Sequence, residues 1–216
     1  MSNTMNHRLI RLLACWLLLS LASLPARAAE PYRLLVFGDS LSAAYGIEEE
    51  QAWVTLLAEK LQQGNWPVAV INGSVSGETT TGGLARLPAM LETYAPDLVI
   101  LELGGNDGLR GLPIQAMRSN LAAMVDLAEA AGASVLLVGI QIPPNYGPRY
   151  TGPFFDQFGE LAVEKDLPLV PFLIDGIPQQ PELMQRDGIH PKAEAQSMIL
   201  DNVWPVLEPL LAEIAE

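Results

Sequence analysis

"LLVFGDSLSAAYG", Leu34 to Gly46, carries four apolar residues into Gly-Asp-Ser and then on into small residues. A short apolar run without alternation, closed by a turn signal, fits a strand buried on both faces of a parallel sheet. Four further runs share the pattern: Val68 to Ile71, Leu98 to Leu103, Val135 to Ile140 and Leu169 to Phe172. Helix-like segments separate them, at about Ala52 to Gln63, Gly83 to Tyr94, Ile114 to Ala131 and Phe154 to Lys165. A last helix is predicted from Lys192 to Ile214, interrupted by Pro205 and Pro209. Pro67, Pro96 and Pro168 each precede a strand, where proline ends a helix without costing a ladder bond. The alternation predicts the α/β class, a three-layer α/β/α sandwich around a five-stranded parallel sheet. Sheets of this kind hold their sites in the crevice beyond the strands' carboxyl ends.

Composition narrows the environment. Arg8 and Arg11 precede the apolar stretch "LLACWLLLSLASL", and "PARAAE" offers an Ala26-x-Ala28 cleavage site. This is the pattern of a secretory signal peptide, and the apolar stretch is shorter than the roughly 20 residues of a spanning helix. Residues 1–28 are therefore read as a leader and 29–216 as one domain, with no stable membrane insertion once the leader is cut. An exported, periplasmic or secreted protein is expected. A lipoprotein reading of "LLAC" at Cys15 would leave most of the apolar stretch on the mature chain and is set aside. The leader holds three of the 12 basic residues and none of the 25 acidic ones, so nine basic against 25 acidic residues give the remainder a net charge of −16. Such a charge opposes nucleic acid and anionic membrane surfaces. Cys15, the only cysteine, leaves with the leader, which excludes a disulfide and any metal cluster of Cys and His. His7 leaves as well, and His190 becomes the one histidine of the mature chain.

Four loops carry candidate chemistry. Gly38-Asp39-Ser40 taken alone suits a turn and a helix cap, although the small Ser42, Ala43 and Ala44 leave room above Ser40 for a substrate. "NGSVSGETTTGG" has the glycines of a phosphate cradle but lacks the lysine, and lacks the central serine of an α/β-hydrolase elbow. It is a turn capping the next helix, or a loop whose Gly77 offers a backbone N–H. "LELGGNDG" is a turn by composition, or it presents the Asn106 amide to a developing negative oxygen. "DGIHP" sets Asp187 three residues before His190. A carboxylate accepting from Nδ1–H fixes the histidine tautomer and leaves Nε2 free as a base. Metal binding would need ligands that are absent. Serine, oriented base and two oxyanion donors thus fall on one predicted sheet edge and together fill the roles of a hydrolase site.

In order, "GDSLSAAYGI", "SGETTTGGLARLP", "LELGGNDGLRG", "PPNYGPRY" and "DGIHP" resemble the conserved blocks of the SGNH (GDSL) hydrolases, and within them an exported bacterial thioesterase/protease/lysophospholipase group. The resemblance covers essentially the whole mature chain. It implies a flavodoxin-like five-stranded sheet, Ser40 as nucleophile, and Asp187 and His190 completing a triad. It also implies Ser40, Gly77 and Asn106 as oxyanion donors, with no cofactor or metal. Acyl, aryl and lysophospholipid esters and acyl thioesters are the implied substrates of a monomeric enzyme. Leu109, Leu112, Ile142, Pro143, Pro144 and Tyr146 lie on loops at the same edge, where they either line an acyl groove or simply pack those loops. An O-acetyl esterase or acetyltransferase acting on polysaccharide would use the same triad with a smaller, more polar pocket. A binding module with a decayed site is the remaining alternative.

Overall fold

All five apolar runs form strands: β1 (Tyr32–Gly38), β2 (Val68–Asn72), β3 (Leu98–Glu102), β4 (Ser134–Val138) and β5 (Leu169–Val170). The computed structural model describes residues 30–215, so the expected leader and the division of the chain at residue 28 lie outside the described residues. The strands pair in parallel in the order β2-β1-β3-β4-β5. β5 is shorter than its apolar run. It pairs on one side only, through Leu137↔Leu169 and Val138↔Val170, and Pro171 follows with no N–H to extend the ladder.

Among the described residues, six α-helices connect or follow the strands: α1 (Trp53–Gln63), α2 (Thr80–Tyr94), α3 (Gly105–Leu109), α4 (Ile114–Ala130), α5 (Pro148–Lys165) and α6 (Gln196–Ala215). α2 starts three residues before its expected position because the Thr79 side chain accepts from Gly82 N and caps it. α5 starts six residues early, with Pro148 in its first turn where the missing N–H costs nothing. α6 begins after a 3₁₀ turn at Ala193–Ala195 and is not interrupted by its prolines. Pro205 and Pro209 lie on its exposed side, together with Asp201, so the carbonyls that lose their N–H partners are on the solvent face. The short α3 stands where the composition of "LELGGNDG" predicts a turn.

Successive residues of β1 feed opposite cores. Leu34 and Val36 pack with Trp53, Leu57 and Leu61 of α1 and with Ile199, Val203 and Leu207 of α6. Leu35 and Phe37 pack with Leu87 of α2, Leu121 and Met124 of α4, and Phe154 and Phe158 of α5. Right-handed crossovers account for this division. The chain leaves β1 toward β2 with α1 on one face, then reverses past β1 to β3, which sends α2, α4 and α5 to the other. The reversal creates a switch point between β1 and β3, where loops diverge at the carboxyl edge.

The same edge buries a carboxylate. Glu102 closes β3 opposite Gly38, fully enclosed. Its Oε2 accepts from Asp39 N at 3.2 Å and from Ser42 Oγ at 2.7 Å, while Oε1 has no partner among the described residues. A Cβ on Gly38 would collide with Oε2, which explains the glycine at that position. Burial, and then the nearby Asp39 carboxylate, push the Glu102 carboxyl well above its usual range, against the hydrogen bonds from Ser42 and Asp39. Burial likewise pushes Asp39 up to about 6.

Two predictions follow from this architecture. Leu136→Ala, in the centre of the α1/α6 core, is expected to cost about 2–5 kcal/mol in urea unfolding, whereas Val163→Ala on the exposed side of α5 stays within about 0.5 kcal/mol. Both Glu102 and Asp39 hold their protons more tightly in the folded chain than in the unfolded one. As pH rises from about 4.5 through 6 and beyond, the unfolded state releases protons that the native state retains, and stability falls. Glu102→Gln removes one of these two protons, so its unfolding free energy should decline less steeply over that range; an unchanged slope would contradict the assignment.

Candidate active site

β1 ends at Gly38, and the chain turns at once. Asp39 Oδ1 accepts from Leu41 N at 3.0 Å, and the Asp39 carbonyl accepts from Ser42 N and Ala43 N. The carboxylate therefore caps a tight turn, as its residue type allows, and the turn holds Ser40 at the sheet's carboxyl edge. No α-helix follows until α1. Ser42 is fully buried on Glu102, and neither it nor Ala43 or Ala44 borders the cleft described below. Its small size serves the buried carboxylate rather than a substrate.

A second loop reaches Ser40 from the far end of the chain. Met184 and Pro191 form an antiparallel bridge, reinforced by Gln185 N to His190 O at 2.8 Å and Lys192 N to Leu183 O at 2.7 Å. This small hairpin closes on Asp187 and His190. His190 Nε2 lies 2.8 Å from Ser40 Oγ, and His190 Nδ1 lies 2.7 Å from Asp187 Oδ2. The other Asp187 oxygen accepts from Ile189 N at 2.9 Å and His190 N at 3.1 Å. Partial burial pushes the Asp187 carboxyl up, but the bonds from Ile189 N and the His190 ring and backbone outweigh it and hold the group below its usual range. An ionised Asp187 fixes Nδ1 as the protonated nitrogen and leaves Nε2 to accept from the serine.

The two candidate oxyanion donors are held by separate clasps. Asn106, in α3, donates from Nδ2 to Asp39 Oδ2 at 3.0 Å. An amide has two such N–H groups, so one remains for a ligand in the cleft that Asn106 lines. Gly77 does not line that cleft. It stands in the turn after β2 with φ +80°, a conformation that favours glycine, and its carbonyl accepts from Arg110 Nη2 at 2.8 Å. Among the described residues no acceptor takes the backbone N–H of Ser40 or of Gly77. The buried Asp107 ties the two loops together, accepting from Thr80 N at 2.8 Å and Thr80 Oγ1 at 2.6 Å.

Beside Ser40 opens a cleft of about 610 Å³, well within the size of small-molecule sites. Leu109, Ile142, Pro143 and Phe155 line it together with Phe172, Ile174 and Met184 from the loops after β5. Leu109, Ile142, Pro143 and Pro144, which the sequence leaves either to line a groove or to pack their loops, border this cleft. Leu112 and Tyr146 are not part of the lining. Leu112 lies past the end of α3, its carbonyl accepting from Tyr150 Oη at 3.1 Å, and the Tyr146 hydroxyl is turned to the Leu109 carbonyl at 2.9 Å. Sequence reading also missed Asp39, Glu102, Asp107, Thr80 and Arg110 as supports. Asp39 and Asp107 carry only turn and cap signals in sequence, and the partners that give them their places are 27 to 67 residues away. Glu102 offers the one usable sign, an acid at the end of an otherwise apolar strand.

The GDSL-like lipase/acylhydrolase family matches residues 36–197. The chain is 52% identical over 178 residues to Esterase TesA of Pseudomonas aeruginosa, covering 82% of this chain and 89% of that protein. It is 47% identical over 195 residues to an arylesterase of Vibrio mimicus (90% and 96% covered). With the thioesterase 1/protease 1/lysophospholipase L1 of Escherichia coli it shares 44% over 193 residues (89% and 91%). A crystal structure of TesA superposes with a TM-score of 0.81 at 51% identity, covering 82% of this chain and 99% of that one. With a parallel sheet, an apolar cleft at its switch point and a serine bonded to an oriented histidine, the chain belongs to the GDSL-like (SGNH) lipase/acylhydrolase family and is a carboxylic ester hydrolase.

Proposed function

We propose that Ser40, His190 and Asp187 hydrolyse esters through a covalent acyl-enzyme. The observation that carries this reading is the His190 ring itself, bonded to Ser40 on one side and to Asp187 on the other. Ser40 Oγ attacks the ester carbonyl carbon while its proton passes to His190 Nε2. The carbonyl oxygen becomes an oxyanion that accepts from the free Asn106 amide N–H and from the backbone N–H groups of Ser40 and Gly77. Collapse of the tetrahedral centre breaks the bond to the leaving alcohol, which takes the proton from His190. Water then attacks the acyl-serine, again giving a proton to Nε2, and the acid departs with Ser40 restored. Asp187 keeps the imidazole in one tautomer and stabilises its cation throughout.

The cleft walls favour an acyl chain over a sugar. Leu109, Ile142, Phe155 and Phe172 offer apolar surface, which suits aliphatic, aryl and lysophospholipid esters better than an acetylated polysaccharide. The leader reading of residues 1–28 adds export to the periplasm. An exported domain of charge −16 would repel polyanionic thioesters, which ranks oxygen esters ahead of coenzyme A esters. No helix among the described residues is long and apolar enough to cross a membrane, so lipid esters would be met as dispersed or surface-presented substrates by a monomer.

Ser40→Ala and His190→Ala should each abolish turnover of a p-nitrophenyl ester while melting near wild type. Turnover by either variant at the wild-type rate would remove that residue from the chemistry. Asn106→Ala should lose about 10²–10³ in kcat, the usual cost of one oxyanion donor, and full turnover would exclude it from the hole. Leu109→Ser is expected to weaken hydrolysis of long-chain p-nitrophenyl esters more than of acetyl or butyryl esters, while Leu112→Ser, away from the cleft, spares both. Equal losses on every chain length at Leu109 would contradict an acyl groove there.

A further inference from the structure

Tyr45 has no evident structural reason to be aromatic. Its side chain is 50% exposed and belongs to neither core. Its ring nevertheless lies against the imidazole of His190, with centroids 4.3 Å apart and planes inclined at 37°. The backbone is bent to put it there. Ala44 adopts φ +56° and Gly46 φ +74°, so two left-handed residues flank Tyr45, and the non-glycine Ala44 does so at a steric cost. Gln185 then fastens the pair. Its Nε2 donates to the Tyr45 carbonyl at 2.8 Å and to the Pro191 carbonyl at 3.1 Å, and its backbone N–H donates to the His190 carbonyl at 2.8 Å. Gly46 must lack a Cβ, because one would collide with the Gln185 amide. One side chain, 140 residues from Tyr45 in sequence, thus holds the main chains on both sides of the ring contact.

We propose that Tyr45 is a positioning residue for ester hydrolysis: its ring face seats the His190 imidazole toward Ser40 and stabilises the imidazolium formed when the serine proton arrives. The inference rests on the Ser40–His190–Asp187 reading. An aromatic face attracts a cation within about 6 Å of its centroid, and the contact lies inside that distance. The neutral ring gains less than the cation, so the stabilisation grows as His190 takes the proton, which is the condition for lowering a barrier. Among the described residues, Asp187 on its own loop and the buried Asp39 beneath Ser40 are the further titratable groups acting on His190. Both are carboxyls and neither can supply a face to the ring.

The test is the pH profile of kcat/KM for a p-nitrophenyl ester, measured between pH 5 and 8 on the full chain. Tyr45→Leu, which keeps apolar bulk but loses the ring, should move the acid limb roughly half a pH unit lower and reduce the plateau about two- to fivefold, the size of an exposed cation–π contact. Tyr45→Phe keeps the ring and should restore both limb and plateau, while Tyr45→Trp, with a stronger face, should move the limb the other way. A Tyr45→Leu profile with the wild-type limb, or a Tyr45→Phe profile no better than that of Leu, would overturn the proposal. If Tyr45→Leu does not fold, an identical limb in the Phe and Trp variants overturns it equally. His190→Ala in the same assay separates the two layers. Residual wild-type activity there would sink the triad reading, whereas an inactive His190→Ala beside an unshifted Tyr45→Leu sinks only the role of Tyr45.

Discussion

The Asp39 carboxylate joins what the rest of the site needs kept together. One oxygen accepts from Leu41 N and shapes the turn that carries Ser40; the other accepts from the amide of Asn106. Its backbone N–H, in turn, is anchored on Glu102 at the end of the neighbouring strand. These bonds span the β1–β3 switch point, where the sheet topology separates two loops that the chemistry requires side by side. A serine at a strand end is mobile by default, and an asparagine amide rotates freely. One carboxylate bonds the Asn106 amide directly and shapes the turn that carries Ser40, so both are placed before a substrate arrives, which is what electrostatic preorganisation demands.

The arrangement has an energetic cost. Two carboxyls are buried within one hydrogen-bond network, and burial raises both above their usual ranges. At Glu102 the nearby Asp39 carboxylate adds to that rise, while at Asp39 the hydrogen bonds from Leu41 N and the Asn106 amide work against it. The two apolar layers offset that cost, with strands whose side chains are enclosed on both faces. Fold and site are consequently linked through a few polar atoms at one edge of a sheet that is otherwise apolar.

Much of this was legible in the residues. Unbroken runs such as Leu34–Phe37 state that a strand is covered on both sides, and five of them separated by helical stretches leave few topologies open. The Asp187–His190 spacing, with no other histidine after the expected leader, points to a base from the residues alone. Other features depend on distance in sequence and could not be read locally. Pro205 and Pro209 look like breaks until the solvent side of α6 is known. Ser42 looks like space for a substrate until Glu102, 60 residues later, takes its hydroxyl. Tyr146 and Leu112 lie on the right loops, but hydrogen bonds to Leu109 and from Tyr150 settle which residues line the cleft. Periodicity reports burial well; it does not report which polar atom meets which.

The proposed chemistry depends on a Ser40 Oγ made nucleophilic by His190. Its most direct test is to treat the protein with a fluorophosphonate, digest it and map the adduct by mass spectrometry, with and without prior alkylation of His190. One adduct is expected, on the peptide containing Ser40, and its formation stops once the imidazole is blocked. An adduct on another serine, or labelling of Ser40 that persists at the same rate after His190 is blocked, would contradict it.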